Sequence, residues 1–396
     1  MPGSVWKRTV CAEPGHASRC RTWRDTLWGM ASLLFGPLTL RGLTVAGRAW
    51  VSPMCQYSCT PERPGVVGDW HLAHLQAFAA GGAPMILTEA SAVTADGRIS
   101  PWDAGLWGQE HVEGWARITS LIHATGSRIG VQLSHAGRKG STYPPFHERS
   151  GSVAEEDGGW TTRGATEAPF GPLAAPRGMT QDEVAAVPAA FAAAARRAAE
   201  AGFDAVELHA AHGYLLAQFL SPLVNDRADA YGGSDEARAR LLLETVEAVR
   251  AVVPDGMPVL VRLSATDWSP DAPGGLEGDL ERTVQVSRWL GDRGVDLVDV
   301  SSGGNVPDPR IPVGAGYQTG FAARVRRAVG VPVSTVGMIT EGRQAELVLA
   351  TGQADVVMMA RALLADPRWW HRAAHQLGHE LPWVPQYARV SDRHVY

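Results

Sequence analysis

Eight short apolar runs, each followed by a longer Ala/Leu/Arg/Glu-rich segment, constrain this chain more than any other feature. They read "AWVSPMC", "MILTEAS", "IGVQLSH", "AVELHAAH", "PVLVRLS", "LVDVSS", "PVSTVG" and "ADVVMMAR". Most are continuously apolar rather than alternating, the pattern of strands buried on both faces of a parallel sheet. The segments between them carry helix signals. Thr180 stands as an N-cap with Glu183 as its capping-box partner, and Gly202 as the stop. Ser234 opens a second helix in the same way, and Gly294 closes a third. Eightfold strand–helix alternation predicts an α/β fold, a closed (β/α)8 TIM barrel rather than an open doubly wound sheet. The third connection, residues 136–179, is rich in Gly, Pro, Ser and Thr. A long loop leaving a strand at its C-terminal end reads as a capping segment, a lid over a site.

Composition narrows the chemistry. Of 396 residues, 45% are hydrophobic and 19% charged, which is globular. A formal net charge of −5 without a basic block suggests neither a nucleic-acid partner nor a membrane surface. Small-molecule chemistry is expected. Four cysteines, Cys11, Cys20, Cys55 and Cys59, make no disulfide framework, and a reducing cytoplasm fits. Cys55 and Cys59 lack a second Cys or His pair at zinc-site spacing, so no metal is expected. No run approaches the roughly 18 apolar residues of a membrane span. The nearest, "WGMASLLFGPLTL", contains Pro37, and secretion is not expected. Residues 1–29 show no periodic pattern. They read as an extension outside the fold, disordered or the product of an upstream start choice, with residues 30–396 forming the barrel.

Polar residues gather where the predicted strands end, and in a barrel those ends converge on one mouth. Cys55 and Tyr57 follow the first strand, and Gln132 and His135 end the third. His209 and His212 end the fourth, with Tyr214 just beyond. Arg262 ends the fifth strand, Gly337 the seventh and Arg361 the eighth. The loops after the last two strands are where a barrel takes a phosphate, with backbone N–H groups and a helix N-terminus as donors. His209 and His212 are not the i, i+4 helical zinc pair, and no third ligand is near in sequence. Imidazole N–H groups there suit a carbonyl oxygen gaining negative charge, and a tyrosine beside them suits proton donation. Bland alternatives stand for each: two histidines satisfying backbone groups, Arg262 pairing a local carboxylate, and Cys55 and Tyr57 as ordinary core.

"SPMCQYS", "EASAV", "QLSHAGRK", "HAAHGYLLAQFLSPLVNDRADAYGGS" and "GVDLVDVSSG" together resemble the Old Yellow Enzyme family, in its bacterial, thermophilic-like branch. The resemblance runs from about Leu34 to Arg389. It implies an FMN-containing barrel reduced by NADPH and reoxidised by an activated alkene in a ping-pong cycle. Hydride would pass from flavin N5 to the β-carbon, and a tyrosine would protonate the α-carbon. Residue by residue, it implies that Ser52, Pro53, Met54 and Cys55 line the flavin, with Cys55 tuning its potential. Ala90 and Gln132 would contact the ring system, and Arg262 would stabilise its reduced form. Gly337, Ala360 and Arg361 would take the phosphate. His209 and His212 would hold the substrate carbonyl, Tyr214 would be the proton donor, and Tyr57 would sit at the substrate. Arg389, in "PQYARV", would reach a neighbouring subunit's site, which implies a homodimer or homotetramer.

Departures from the family pattern are Ala360 where glycine is usual, Ala237 where asparagine is usual, and "AGRAW" before the first strand. Two other readings remain open. One is an FMN barrel with a different oxidant, dienoyl-CoA-type or a nitro compound. The other is a non-redox barrel acting on a phosphorylated metabolite.

Overall fold

A hairpin of β1 (Leu38–Leu40) and β2 (Leu43–Val45) precedes the barrel. The structure, a computed structural model, describes residues 32–390, so the expected extension at residues 1–29 lies outside the described residues. Barrel strands β3 (Ala49–Val51), β4 (Met85–Ala92) and β5 (Arg128–Ser134) come next. A short ribbon of β6 (Arg163–Gly164) and β7 (Arg177–Gly178) interrupts them. The barrel resumes with β8 (Ala205–Ala210), β9 (Val259–Ser264), β10 (Leu297–Ser301), β11 (Val333–Thr335) and β12 (Val356–Met359). All eight barrel strands pair in parallel and in sequence order, and β12 closes on β3 through Val357 beside Ala49. Each of the eight apolar runs of the sequence lies on one of these strands.

Strand side chains alternate, and the alternation builds two cores. Trp50, Met85, Leu87, Ala205, Leu260 and Leu297 fill the barrel's lower interior together with Leu40, Leu43 and Val45 of the hairpin. The hairpin therefore plugs the end opposite the mouth, a role the sequence did not announce. The intervening residues, such as Ile86, Ile129, Val206 and Val259, join the outer core against the helices. Burial on both faces explains why the runs do not alternate in polarity.

The helix Gln181–Glu200 is capped as expected. Thr180 Oγ1 accepts from the Glu183 N–H, and Glu183 Oε2 accepts from the Thr180 N–H at 2.8 Å. Gly202 follows its end at φ +83. Ser234 caps the helix Asp235–Arg250 through the Ala237 N–H. The helix Gly275–Gly291 stops before Gly294, which instead turns the chain at φ +83 into β10.

Residues 136–179 form an ordered insertion after β5, with single turns at Gly137–Lys139 and Glu155–Asp157 and the β6–β7 ribbon. Arg138 fastens it to the barrel by donating to the Asn305 carbonyl at 2.7 Å. Among the described residues no helix is long and apolar enough to cross a membrane.

Candidate active site

Above the apolar floor the barrel interior turns polar. Register sets Gln132 beside Ala90 and Glu207, His209 beside Arg262, and Arg262 beside Asp299. Gln132 Nε2 donates to Glu207 Oε1 at 2.7 Å, while Glu207 Oε2 has no partner. Burial pushes the Glu207 carboxyl up to about 8, with Asp299 adding to the effect. Arg262 Nε lies 3.0 Å from Asp299 Oδ2 as an ion pair whose N–H is not aligned along the contact. A second Arg262 nitrogen donates to Ser52 Oγ at 3.1 Å. Asp299 Oδ1 accepts from Ser334 Oγ at 2.6 Å. Arg262 thus has its carboxylate partner, as the bland reading held, and still keeps a donor without a bond.

The two histidines meet at the mouth. The Ala211 N–H donates to His209 Nδ1 at 3.3 Å, so a neutral His209 carries its proton on Nε2. That nitrogen lies 3.3 Å from His212 Nδ1, which places the His212 proton on Nε2, 2.8 Å from Ser301 Oγ. Burial first, then the Arg262 charge, holds both imidazoles well below their ordinary value of 6.5. The pair is therefore neutral, with the His209 N–H directed at His212 and the His212 N–H at Ser301. His212 itself adopts φ +57, and Gly213 follows at φ +73. A Cβ on Gly213 would lie 2.0 Å from the Gly304 carbonyl oxygen, so this turn requires glycine. Lys139 Nζ ties the two segments together, donating to the His212 carbonyl at 2.8 Å and the Gly304 carbonyl at 3.0 Å.

Tyr214 stands edge-on to the His209 ring, with centroids 4.9 Å apart. With Cys55 and Tyr57 it packs against Ala90, Ile99 and Ala136. Burial pushes its phenol up, with Cys55 and Tyr57 adding to the effect. Burial also raises the half-buried Cys55 thiol, helped by Asp103 and Glu89. Tyr57 adopts φ +51 and meets Phe146 of the capping segment edge-on at 6.0 Å.

Beside this cluster a cavity of about 650 Å³ is lined by Arg262, Ser301, Gly337, Met358, Ala360 and Arg361. Its volume falls in the range of roughly 300–1,000 Å³ usual for cofactor sites. Gly337 sits at φ +126, where a Cβ would meet Gln318 Nε2 at 2.8 Å. Ala360 sits at φ −120 and ψ −90, outside the left-handed region that favours glycine. A guanidinium buried at one side, an exposed one at Arg361 and apolar walls at Val336 and Met358 suit a planar ring carrying a phosphate. The residues present fit FMN.

The structure joins most of the expected residues and separates a few. Gly337, Ala360, Arg361 and Arg262 share the cavity, with Ser52 bonded to Arg262. Cys55, Tyr57, Ala90 and Tyr214 share the apolar cluster. His209 and His212 connect the two groups through Tyr214 and Ser301. The Met54 side chain instead packs against the outer core, and the half-buried Pro53 lies beside it. Arg389 is exposed on the terminal turn Pro385–Val390 and does not line the cavity. Sequence reasoning passed over Glu207, Asp299, Glu89 and Lys139. The first three were visible as acidic residues inside apolar runs; Lys139 carried no such signal.

Comparison with known proteins gives a consistent picture. The sequence model of the NADH:flavin oxidoreductase / NADH oxidase family matches residues 33–380. An NADPH dehydrogenase of Geobacillus sp. (strain WCH70) is 44% identical over 361 residues, covering 91% of this chain and 99% of the relative. An NADPH dehydrogenase of Bacillus subtilis (strain 168) is 41% identical over 360 residues, with 91% and 99% covered. Among solved structures, morphinone reductase superposes with a TM-score of 0.70 at 27% identity, covering 88% of this chain and 90% of that one. A 2-naphthoyl-CoA reductase superposes with a TM-score of 0.77 at 26% identity, covering 89% of this chain and 53% of that one.

Proposed function

Because the chain belongs to the NADH:flavin oxidoreductase / NADH oxidase family, the Old Yellow Enzyme family, and is an FMN-dependent oxidoreductase with NADPH as reductant, we propose that it reduces the activated C=C bond of α,β-unsaturated carbonyl compounds. The observation that carries this is the neutral His209–His212 pair with Tyr214 edge-on beside it. FMN, when bound, supplies the hydride. Arg262, Gly337, Ala360 and Arg361 would hold it, and Gln132 would meet its ring edge. Hydride addition to an enone moves negative charge onto the carbonyl oxygen. Neutral N–H donors, turned from their present partners His212 Nδ1 and Ser301 Oγ onto that oxygen, would favour the transition state over the ground state without adding a counter-charge. Tyr214 keeps its proton until the α-carbon needs it, because burial disfavours phenolate. Cys55 and Tyr57 complete the apolar wall, and Phe146 extends it into the capping segment. NADPH and alkene use one mouth in turn, a ping-pong cycle. In this reading Arg389 serves a neighbouring copy in a dimer or tetramer.

An anaerobic visible spectrum tests the proposal. The flavin band should bleach with NADPH and return with 2-cyclohexenone. A band that bleaches and stays bleached would reject the enone as oxidant.

A further inference from the structure

Glu89 lies where the pairing of β4 with β5 shifts register between Leu87 and Ala90. The irregularity keeps Ala90 beside Gln132 on the inner face while Glu89 turns outward, toward the helix Asp69–Ala80. Glu89 is 4% exposed. Its Oε2 accepts the backbone N–H of Gln56 at 2.9 Å, and its Oε1 lies 3.3 Å from His71 Nε2. The Gly68 N–H donates to His71 Nδ1 at 3.1 Å, so a neutral His71 carries its proton on Nε2, which stands between Glu89 Oε1 and, at 3.9 Å, Cys59 Sγ. Gln56 sits between Cys55 and Tyr57, and Tyr57 holds φ +51, a conformation that persists only where the surroundings fix it.

We propose that Glu89, oriented by His71, is the positioning residue for the Cys55–Tyr57 segment, gripping it from behind through the Gln56 N–H and so fixing thiol and phenol at the reaction site. The proposal rests on the reading above that Cys55 and Tyr57 face the reacting molecules. It assigns Glu89 no contact with them. The bond is not replaceable by the amide of glutamine. One carboxamide oxygen could serve Gln56, but the amide nitrogen would then face the His71 N–H, donor against donor. Glu89 is also one of two carboxyls, with Asp103, whose charge raises the Cys55 thiol after burial has done so; Tyr57 and Tyr214 are the remaining titratable neighbours.

Wild-type and Glu89→Gln holoenzymes are compared for flavin content, for alkylation of Cys55 by iodoacetamide across the neutral-to-alkaline range, and for affinity toward 4-hydroxybenzaldehyde by its charge-transfer band. Expected are unchanged flavin content, an alkylation profile displaced to lower pH, and, above pH 8 where the Glu89 carboxyl is ionised, phenol binding weakened about tenfold, the scale of one hydrogen bond to a charged group. A variant with wild-type alkylation and wild-type phenol affinity overturns the proposal. Alkylation needs no turnover, so failure of the enone cycle in the wild type would not be confused with failure of this assignment. Should Glu89→Gln not fold, His71→Leu must weaken phenol binding in the same direction and His71→Gln, which restores an N–H donor, must recover it. Equal affinities in those two variants overturn the proposal as well.

Discussion

Arg262 and Asp299 face each other inside the barrel, guanidinium Nε to carboxylate Oδ2 at 3.0 Å, both buried. Asp299 also holds the Ser334 hydroxyl. Removing one partner of such a pair leaves an uncompensated buried charge. Asp299→Asn is expected to lower stability by about 3–5 kcal/mol, read by urea unfolding of the holoenzyme. A loss under roughly 1 kcal/mol, the scale of a surface pair, would mean that Arg262 draws on another counter-charge.

Tyr214→Phe keeps the ring that packs against His209 and deletes only the hydroxyl. Flavin reduction by NADPH should be almost unchanged. Reoxidation by 2-cyclohexenone should slow by about 10²- to 10⁴-fold, the usual worth of a general acid. Stopped-flow measurement of the two half-reactions separates them. Equal slowing of both would remove Tyr214 from the proton-donor role.

Stability should peak near pH 6.5. Burial holds His71, His74 and His135 down at about 4, and His209 and His212 also well below 6.5. Below 6.5 the unfolded chain takes up protons that the folded imidazoles refuse, so stability is lost as pH falls. Burial pushes Glu89 and Glu207 up to about 8 and Asp103 up to about 6. These carboxyls keep protons that the unfolded chain has released, so their contribution is lost as pH rises through the folded value. Five imidazoles outweigh three carboxyls below 6.5, and between 6.5 and 8 only the carboxyls of this set act. The thermal midpoint, followed from below pH 6.5 up to 8, should decline on both sides of 6.5. A midpoint still climbing from pH 6.5 to 8 would contradict the protonation of Glu89 and Glu207.

Arg361 is exposed at the cavity rim, where the loop after β12 opens a helix. If it takes the cofactor phosphate, Arg361→Ala should weaken FMN about tenfold or more and leave riboflavin nearly unaffected. Quenching of flavin fluorescence on titration gives both constants. An unchanged ratio of the two would move the phosphate elsewhere.

The barrel was legible because burial on both faces forces its strands to be apolar in both registers, and eight such runs have few other uses. The mouth was legible because polar side chains at strand ends stand out against those runs. His209 and Arg262 were found for that reason. Glu207 and Asp299 were equally visible but point down into the interior, and nothing in the sequence says which face of a parallel strand is inward. His71 belongs to the site only because its helix brings it against Glu89, a contact fixed by packing rather than by spacing. The β1–β2 hairpin was missed because two three-residue strands carry too little periodicity to register. Ala360, a departure from the family pattern, lies outside the left-handed region that favours glycine.

Lys139 joins the root of the capping segment to the carbonyls of His212 and Gly304, while Phe146 farther along the same segment is 74% exposed. The segment is thus a fixed rivet carrying an exposed rim. Selection can rewrite the rim, and with it the range of molecules admitted, without disturbing the turn that holds the histidines. A laboratory seeking new substrates for this scaffold should graft from Phe146 outward and leave the lysine where it is.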